Sequence, residues 1–370
     1  MIKMIINVNL IGFSSNKSVG TLIYTKRLFS QLHECNNKDY HFIFYAQNSF
    51  DFSGFNLPKD AEIVRVPDMK SAMIRRLYEH TLFRLKLKKA NFLFTPYMTI
   101  PLLFSPSKQI VTIHDMVPFM LNKKYGALKL RLLKFETMLA AKLSSMIVTV
   151  SNNSKKDICQ ITKVSPDKVH VIYNFIRDNE QVVQCLSDPN LIQRYQLSKP
   201  YFITVATLQP GKNIERLIRA FSHFLQENPG CQLCIVGNKG WGFATIYEEV
   251  QKLKMEESVI FTGYADDRTL DILYSHCLGV VYVSLYEGFG IPPLEGFYHH
   301  KAAIVSNNSS LPEVVGNAAI MVDPTDEISL AKGISAFLHQ RETLESKIQQ
   351  QILKFNPLSI ANNFLRILKL

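Results

Sequence analysis

Thirteen short apolar runs, most of them separated by stretches with helical spacing, fall into a series of seven followed by a series of six. This double alternation constrains the fold more than any other feature, because strands alternating with helices build a mostly parallel sheet covered by those helices. The first series occupies 4–10, 41–45, 63–66, 92–94, 109–113, 146–150 and 169–173; the second occupies 201–206, 233–236, 259–262, 280–283, 302–305 and 319–322. Helical patterns at 213–227, 268–277, from 292 onward and at 328–339 punctuate the second series. Between the two series, 174–197 turns polar and loses its period, as a linker or peripheral helix would. At 370 residues the chain also exceeds one ordinary hydrophobic core. The expected class is α/β: two Rossmann-like, doubly wound domains facing across a cleft, at 1–178 and 179–352, with 353–370 as a closing helix that packs back on the first domain. Open sheets of this kind bind ligands beyond the carboxyl ends of their strands, so chemistry is sought there.

Composition narrows the class. The six cysteines are scattered, and the first residues lack the basic region, long apolar region and cleavage site of a signal peptide, which predicts a cytoplasmic, reduced chain. Cys231 and Cys234 form a C-x-x-C inside an apolar run, where positions three apart point to opposite faces of a strand. They are expected to be core residues rather than zinc ligands. No apolar stretch approaches the roughly 20 residues of a membrane-spanning helix. The net charge of +11 is concentrated, with 14 Lys and Arg against three acids between Lys70 and Lys142. Segments 71–89 and 128–142 also carry Leu, Met, Phe and Tyr at helix-like intervals. Such segments fit either a solvated helix face or a basic amphipathic surface lying on anionic lipid.

The stretch SLYEGFGIPPLE at 284–295 joins a strand end to a helix start. Its two glycines permit close backbone approach, and Pro292-Pro293 opens a helix where a missing N–H costs nothing. The amides of Phe289, Gly290 and Ile291 are expected to point outward at this helix N-terminus, which suits a diphosphate. Glu287 and Glu295 flank the turn. A carboxylate accepts well from two vicinal hydroxyls, so one acid can hold a ribose and the other a sugar. The plain alternative, a strand-helix turn with a helix-start glutamate, leaves Glu287 unexplained.

From Val259 the chain reads VIFTGYADD, LYSHC, EGFGIPPLE and SNNSSLPEVVGNAA in that order, with an E-x7-E spacing from Glu287 to Glu295. This resembles the carboxyl-terminal domain of family 4 retaining glycosyltransferases, which have the glycosyltransferase B fold. VTVSNNSKKDI at 148–158, TIHDMVP at 112–118 and VATLQPGKN at 205–213 resemble the family's late first-domain strand and helix, its HD-containing loop and its phosphate-gripping loop. The resemblance therefore covers nearly the whole chain. It implies that Glu295 binds the nucleotide ribose, that Glu287 lies near the donor sugar, that Lys212 contacts the diphosphate and that His114 lies beside the transferred sugar. Gly20, in Ser-Val-Gly-Thr, matches imperfectly a glycine-rich loop that approaches the donor phosphates. Lys212 would meet the charge that develops on a leaving nucleoside diphosphate, and His114 would donate to a sugar hydroxyl or phosphate. The other nine histidines have no comparable context, and His299-His300 reads as a helix end. Three departures stand out. Thr207 and Gly211 occupy places where the family often has an arginine, so the grip is expected to lean on Lys212 and backbone amides. Gly296-Phe-Tyr-His-His-Lys-Ala-Ala replaces the family's small residues and Gly-x-Pro, and Phe175 stands where a glycine commonly follows the equivalent of Asn174.

The resemblance implies an enzyme, a retaining hexosyltransferase similar to bacterial mannosyl- and rhamnosyltransferases of O-antigen and capsule assembly. It would move a hexose from a nucleoside diphosphate sugar to a saccharide or lipid-linked saccharide hydroxyl, with GDP-mannose favoured and a UDP-hexose or dTDP-rhamnose as alternatives. If retention proceeds without a covalent intermediate, the departing phosphate oxygen receives the acceptor proton. A diphosphate-binding turn between the two acids also argues against a glycosidase-like pair. No D-x-D occurs and both acids are assigned to hydroxyls, so no metal and no cofactor is expected. A lipid-linked acceptor would place the protein on the inner face of the cytoplasmic membrane and favours the lipid reading of the basic face. Two rival classes are a nucleic-acid-binding protein, which has the basic face but no recognition motif, and a noncatalytic sugar-nucleotide sensor.

Overall fold

The computed structural model describes residues 3–13, 20–35, 39–101, 107–121, 126–176 and 189–370. It comprises two compact units, one formed by 1–177 with 356–370 and the other by 178–355. In the first unit, β1 (Met4–Asn9), α1 (Gly20–Glu34), β2 (Tyr40–Gln47), β3 (Glu62–Val66), α2 (Ala72–His80), β4 (Phe92–Thr95) and β5 (Lys108–Thr112) lead to α3 (Val117–Met120) and α4 (Ala127–Leu143). They are followed by β6 (Met146–Thr149), α5 (Asn152–Thr162) and β7 (Val169–Val171). The seven strands form one parallel sheet in the order β3-β2-β1-β4-β5-β6-β7. Every residue of β4 and β6 is buried, whereas β3 at the edge alternates, which is why 92–95 reads as a continuous apolar run and 62–66 does not.

The second unit runs through α6 (Pro189–Arg194), β8 (Tyr201–Val205), α7 (Ile214–Glu227), β9 (Gln232–Val236), α8 (Ala244–Lys252), β10 (Val259–Gly263) and α9 (Asp267–His276). It continues with β11 (Val280–Tyr282), α10 (Ile291–Tyr298), β12 (Ala303–Ser306), α11 (Leu311–Val315), β13 (Ala319–Val322), α12 (Glu327–Glu345) and α13 (Ile348–Ile352). Its sheet is parallel, in the order β10-β9-β8-β11-β12-β13. Both units are thus Rossmann-like, and all thirteen apolar runs coincide with strands. Helices α8 and α11 escaped the periodic reading because α8 buries only Ile246 and Val250 and α11 is five residues long. Helix starts follow capping chemistry: Ser71, Ser151 and Asp266 accept from the amides of Ile74, Ser154 and Thr269. Each such cap is worth about 1 kcal/mol.

The C-terminal tail forms α14 (Pro357–Ile367), which packs in the first unit. The ring of Phe364 lies 5.0 Å from that of Phe94, and Tyr40 Oη donates to the Leu365 carbonyl at 3.1 Å. The cysteine expectation needs one correction. Cys234 is fully buried in β9, but Cys231 precedes the strand and is partly exposed. In each sheet the strand order reverses direction once, between β1 and β4 and between β8 and β11. Loops leaving neighbouring strands diverge at such a point, which opens room for a ligand.

Candidate functional site

The reversal between β8 and β11 brings together two loops that are far apart in sequence. Val280 of β11 pairs with Ile203 of β8, so the loop holding Lys212 and the loop holding Glu287 leave adjacent strands. Lys212 ends a single 3-10 turn, Pro210–Lys212, and Asn213 follows in the left-handed region at φ 60°. The buried Asn213 side chain donates to the carbonyls of Val283 at 3.0 Å and Pro324 at 2.7 Å, which pins the turn to the end of β11. Arg216 is engaged with Asn213 Oδ1 and the Pro324 carbonyl, so it supports this turn. Thr207 and Gly211 contribute no charge here.

Lys212 Nζ donates to Glu287 Oε1 at 2.5 Å and to Tyr282 Oη at 2.9 Å, and Tyr282 Oη donates to the same Glu287 oxygen at 2.9 Å. Nζ also lies 5.3 Å from the centre of the Tyr282 ring. Burial alone would lower the lysine, but the charge of Glu287 and the bonds to Glu287 and Tyr282 outweigh it and hold the ammonium above its ordinary value. Burial, and then the Glu287 charge, push the Tyr282 phenol up, so it remains a donor. The residues assigned to diphosphate and to sugar therefore form one hydrogen-bonded unit.

The loop between them and α10 is held from β12 and the residues after it. Glu287 N donates to Ser309 Oγ, Ser310 Oγ donates to the carbonyls of Glu287 and Phe289, and Asn308 Nδ2 donates to the Leu285 carbonyl. This gives the NNSSLP stretch a physical role as a clamp. Gly290 adopts φ 108°, and a Cβ there would lie 2.5 Å from Leu311 Cδ2, so both conformation and space require glycine. The turn is less open than expected: Phe289 and Gly290 are buried and Ile291 is half-buried. Packing is the reason, since Phe289 sits edge-on against Phe355 at 5.5 Å and Gly290 against Leu311.

Glu295 lies in the second turn of α10 and is half-buried. Tyr274 Oη of α9 donates to its Oε2 at 3.0 Å. The Tyr274 ring stacks on His299, 5.5 Å away and 16° from parallel, and His299 bridges Ser275 and Asp271. His299 does end α10, as the sequence suggested, but it also buttresses the tyrosine behind Glu295. Sequence reasoning missed Tyr282, Tyr274 and His299. Tyr282 lies in an apolar run, Tyr274 in the LYSHC stretch and His299 at a helix end, and none of these positions signals an acid or a tyrosine to support.

His114 and Gly20 belong to the first unit. His114 follows β5, packs edge-on against Tyr24 at 5.0 Å, and places Nε2 3.3 Å from the Pro96 carbonyl. Burial lowers it to about 4, so the ring is neutral at pH 7 with its proton on Nε2. Nε2 donates to the Pro96 carbonyl, which leaves Nδ1 as the acceptor. Gly20 is exposed as the first residue of α1, and a Cβ there would meet nothing within 4 Å. Ser18 and Val19 of its Ser-Val-Gly-Thr stretch lie outside the described residues.

The first unit also carries an unusual face. On α2 the buried residue is Glu79, which accepts from Asn9 Nδ2 at 3.0 Å and from Tyr97 Oη, while Met73, Ile74 and Leu77 are 81%, 52% and 64% exposed. Helix α4 exposes Leu128 and Phe135 at 83% and 62%, and Arg76 of α2 pairs with its Glu136 at 3.2 Å. The two helices thus present apolar side chains interleaved with Lys and Arg. No helix among the described residues is long and apolar enough to cross a membrane.

Comparison with known proteins agrees with this architecture. Residues 190–353 match the family model described as Glycosyl transferases group 1, and 37–180 match that described as Glycosyltransferase Family 4. The O-antigen chain mannosyltransferase B of Escherichia coli is 27% identical over 263 residues, 70% of this chain and 66% of that protein. The O-antigen chain mannosyltransferase RfbU of Salmonella typhimurium is 30% identical over 240 residues, 65% of this chain and 63% of that protein. The chain thus spans just under two thirds of the length of these relatives. Among solved structures, Anabaena Alr3699/HepE in complex with UDP and glucose aligns with a TM-score of 0.75 at 16% identity, covering 99% of both chains. Sucrose-phosphate synthase from Thermosynechococcus elongatus aligns at 0.76 and 17% identity, covering 99% of this chain and 98% of that one. At such identities the likeness is one of fold, the glycosyltransferase B fold.

Proposed function

We propose, from the premise that this chain belongs to the family 4 glycosyltransferases, that it transfers a hexose from a nucleoside diphosphate sugar to a hydroxyl of a growing, lipid-linked surface polysaccharide. The observation that carries this reading is the Lys212–Glu287–Tyr282 unit at the strand-order reversal, eight residues before Glu295 on α10. Lys212 meets the diphosphate, Glu287 the donor sugar and Glu295 the ribose. Glu287 partners Lys212, and an incoming diphosphate takes over part of that partnership, which frees carboxylate capacity for sugar hydroxyls. As the glycosidic bond breaks, negative charge grows on the departing diphosphate where Lys212 is already fixed. Retention follows if the acceptor oxygen bonds to the anomeric carbon from the face the diphosphate leaves and passes its proton to the departing oxygen, with no enzyme nucleophile. No metal is needed on this reading, because Lys212 and the α10 N-terminus supply the countercharge.

GDP-mannose is the favoured donor, supported by two relatives named as mannosyltransferases, ahead of a UDP-hexose or dTDP-rhamnose. The enzyme works on the cytoplasmic side, held at an anionic membrane surface by the α2–α4 face, where exposed apolar residues enter lipid and Lys and Arg meet headgroups. A panel of sugar nucleotides scored by thermal stabilisation tests the donor: GDP-mannose should raise Tm most, in the presence or absence of a chelator. Stabilisation by none of the panel would sink the reading.

A further inference from the structure

We propose that Tyr282 and Tyr274 are positioning residues that divide donor recognition between them, Tyr282 orienting the carboxylate that meets the sugar and Tyr274 the carboxylate that meets the ribose. The inference rests on the donor-site reading above. Each acid hangs from a terminal torsion with a broad, two-fold preference, so a glutamate alone is a poor geometric instrument. In this chain each carboxylate accepts from a phenol that is nearly inaccessible and carried by a rigid element. Tyr282, 4% exposed, is the last residue of β11, and Tyr274, 1% exposed, lies in the last turn of α9. One phenol O–H, at 2.9 Å from Glu287 Oε1 or 3.0 Å from Glu295 Oε2, removes the rotational freedom of its acid. Burial pushes both phenols above their ordinary value, so each stays protonated and donating at neutral pH.

The two tyrosines differ in what else they touch, and this difference makes the division testable. Tyr282 also accepts from Lys212. In Tyr282→Phe, however, the ammonium keeps its Glu287 partner and its place over the ring, so the diphosphate grip survives. Tyr274 is braced by His299 and contacts neither Glu287 nor Lys212 through any described hydrogen bond. A matched control exists in Tyr201 of β8, a phenol 2% exposed whose described hydrogen bond goes to the Leu273 carbonyl at 2.8 Å rather than to either acid.

The experiment measures equilibrium binding of GDP-mannose and of GDP to the full chain and to Tyr282→Phe, Tyr274→Phe and Tyr201→Phe, with Tm recorded for each. Tyr282→Phe is expected to weaken GDP-mannose about tenfold while GDP changes less than about twofold. Tyr274→Phe is expected to weaken both ligands about tenfold, preserving their ratio. Tyr201→Phe should lower Tm comparably and change neither affinity. Equal weakening of both ligands in Tyr282→Phe, or two site variants that behave like Tyr201→Phe, would overturn the division of roles while leaving the donor reading intact. A parent chain that binds neither ligand overturns both.

Discussion

In the second unit the polar groups at the strand-order reversal are largely buried and bonded to one another. Lys212, Glu287 and Tyr282 close a triangle, and Tyr274 holds Glu295 from behind. The α2–α4 face of the first unit is built in the opposite sense: the Glu79 carboxylate of α2 is inside, and Met73, Leu77, Leu128 and Phe135 are outside. A small, highly charged ligand is recognised by groups whose direction is set in advance, because ordering them on binding would cost affinity. A bilayer is not a shape, and a surface that meets it needs apolar area and charge rather than fixed directions. On the proposed function, the contrast separates two tasks, holding a donor and reaching an acceptor at a membrane surface.

The largest effect should come from breaking the triangle. Lys212→Met is expected to cut turnover about 100- to 1,000-fold, the range seen when one fixed group that stabilises transition-state charge is lost. Single-turnover measurement with saturating donor checks this, and vesicle binding should be unchanged. A smaller and complementary effect is expected from Leu77→Glu combined with Phe135→Glu. Sedimentation with anionic vesicles should fall at least about tenfold, since each change removes buried apolar area and adds like charge to an anionic surface, whereas turnover on a soluble acceptor should persist. Unaltered sedimentation would remove the α2–α4 face from the account. A third effect, on stability rather than on turnover or vesicle binding, concerns His114. Its folded value is depressed to about 4, so the neutral ring contributes stability that is complete above its ordinary value near 6.5 and is lost as pH falls from there to about 4. His114→Gln should flatten that acid limb by up to about 3 kcal/mol, read from denaturant midpoints between pH 7 and pH 4.

The same contrast explains what could be read from sequence. The two acids proposed for donor binding were legible because a strand, a Gly-Pro turn and a helix place Glu287 and Glu295 by spacing alone. Lys212 was legible as a member of a loop, but its pairing with Glu287 was not, since the two are 75 residues apart and meet only because β8 and β11 are sheet neighbours. Tyr282 and Tyr274 were invisible for a different reason: a tyrosine within an apolar run is indistinguishable from core until its hydroxyl is seen to find an acid. His114 was placed by motif, yet its proton could be assigned only once the Pro96 carbonyl was seen beside Nε2. On α2 the sequence showed charge and apolar spacing. It could not show that the helix is turned with its acid inward, because Asn9 and Tyr97, which hold Glu79, come from other strand ends.

The central claim is that the Glu287–Lys212 pair is the hinge of donor recognition and transfer. Its most direct test is transfer of labelled mannose from GDP-mannose to a bacterial polyprenyl-linked saccharide fraction, with released GDP measured in the same reaction, for the parent chain and Glu287→Gln. Equimolar transfer and GDP release by the parent, with retained anomeric configuration and loss of most transfer in Glu287→Gln, is the predicted result. Unaffected turnover in Glu287→Gln, or a product of inverted configuration, would contradict it.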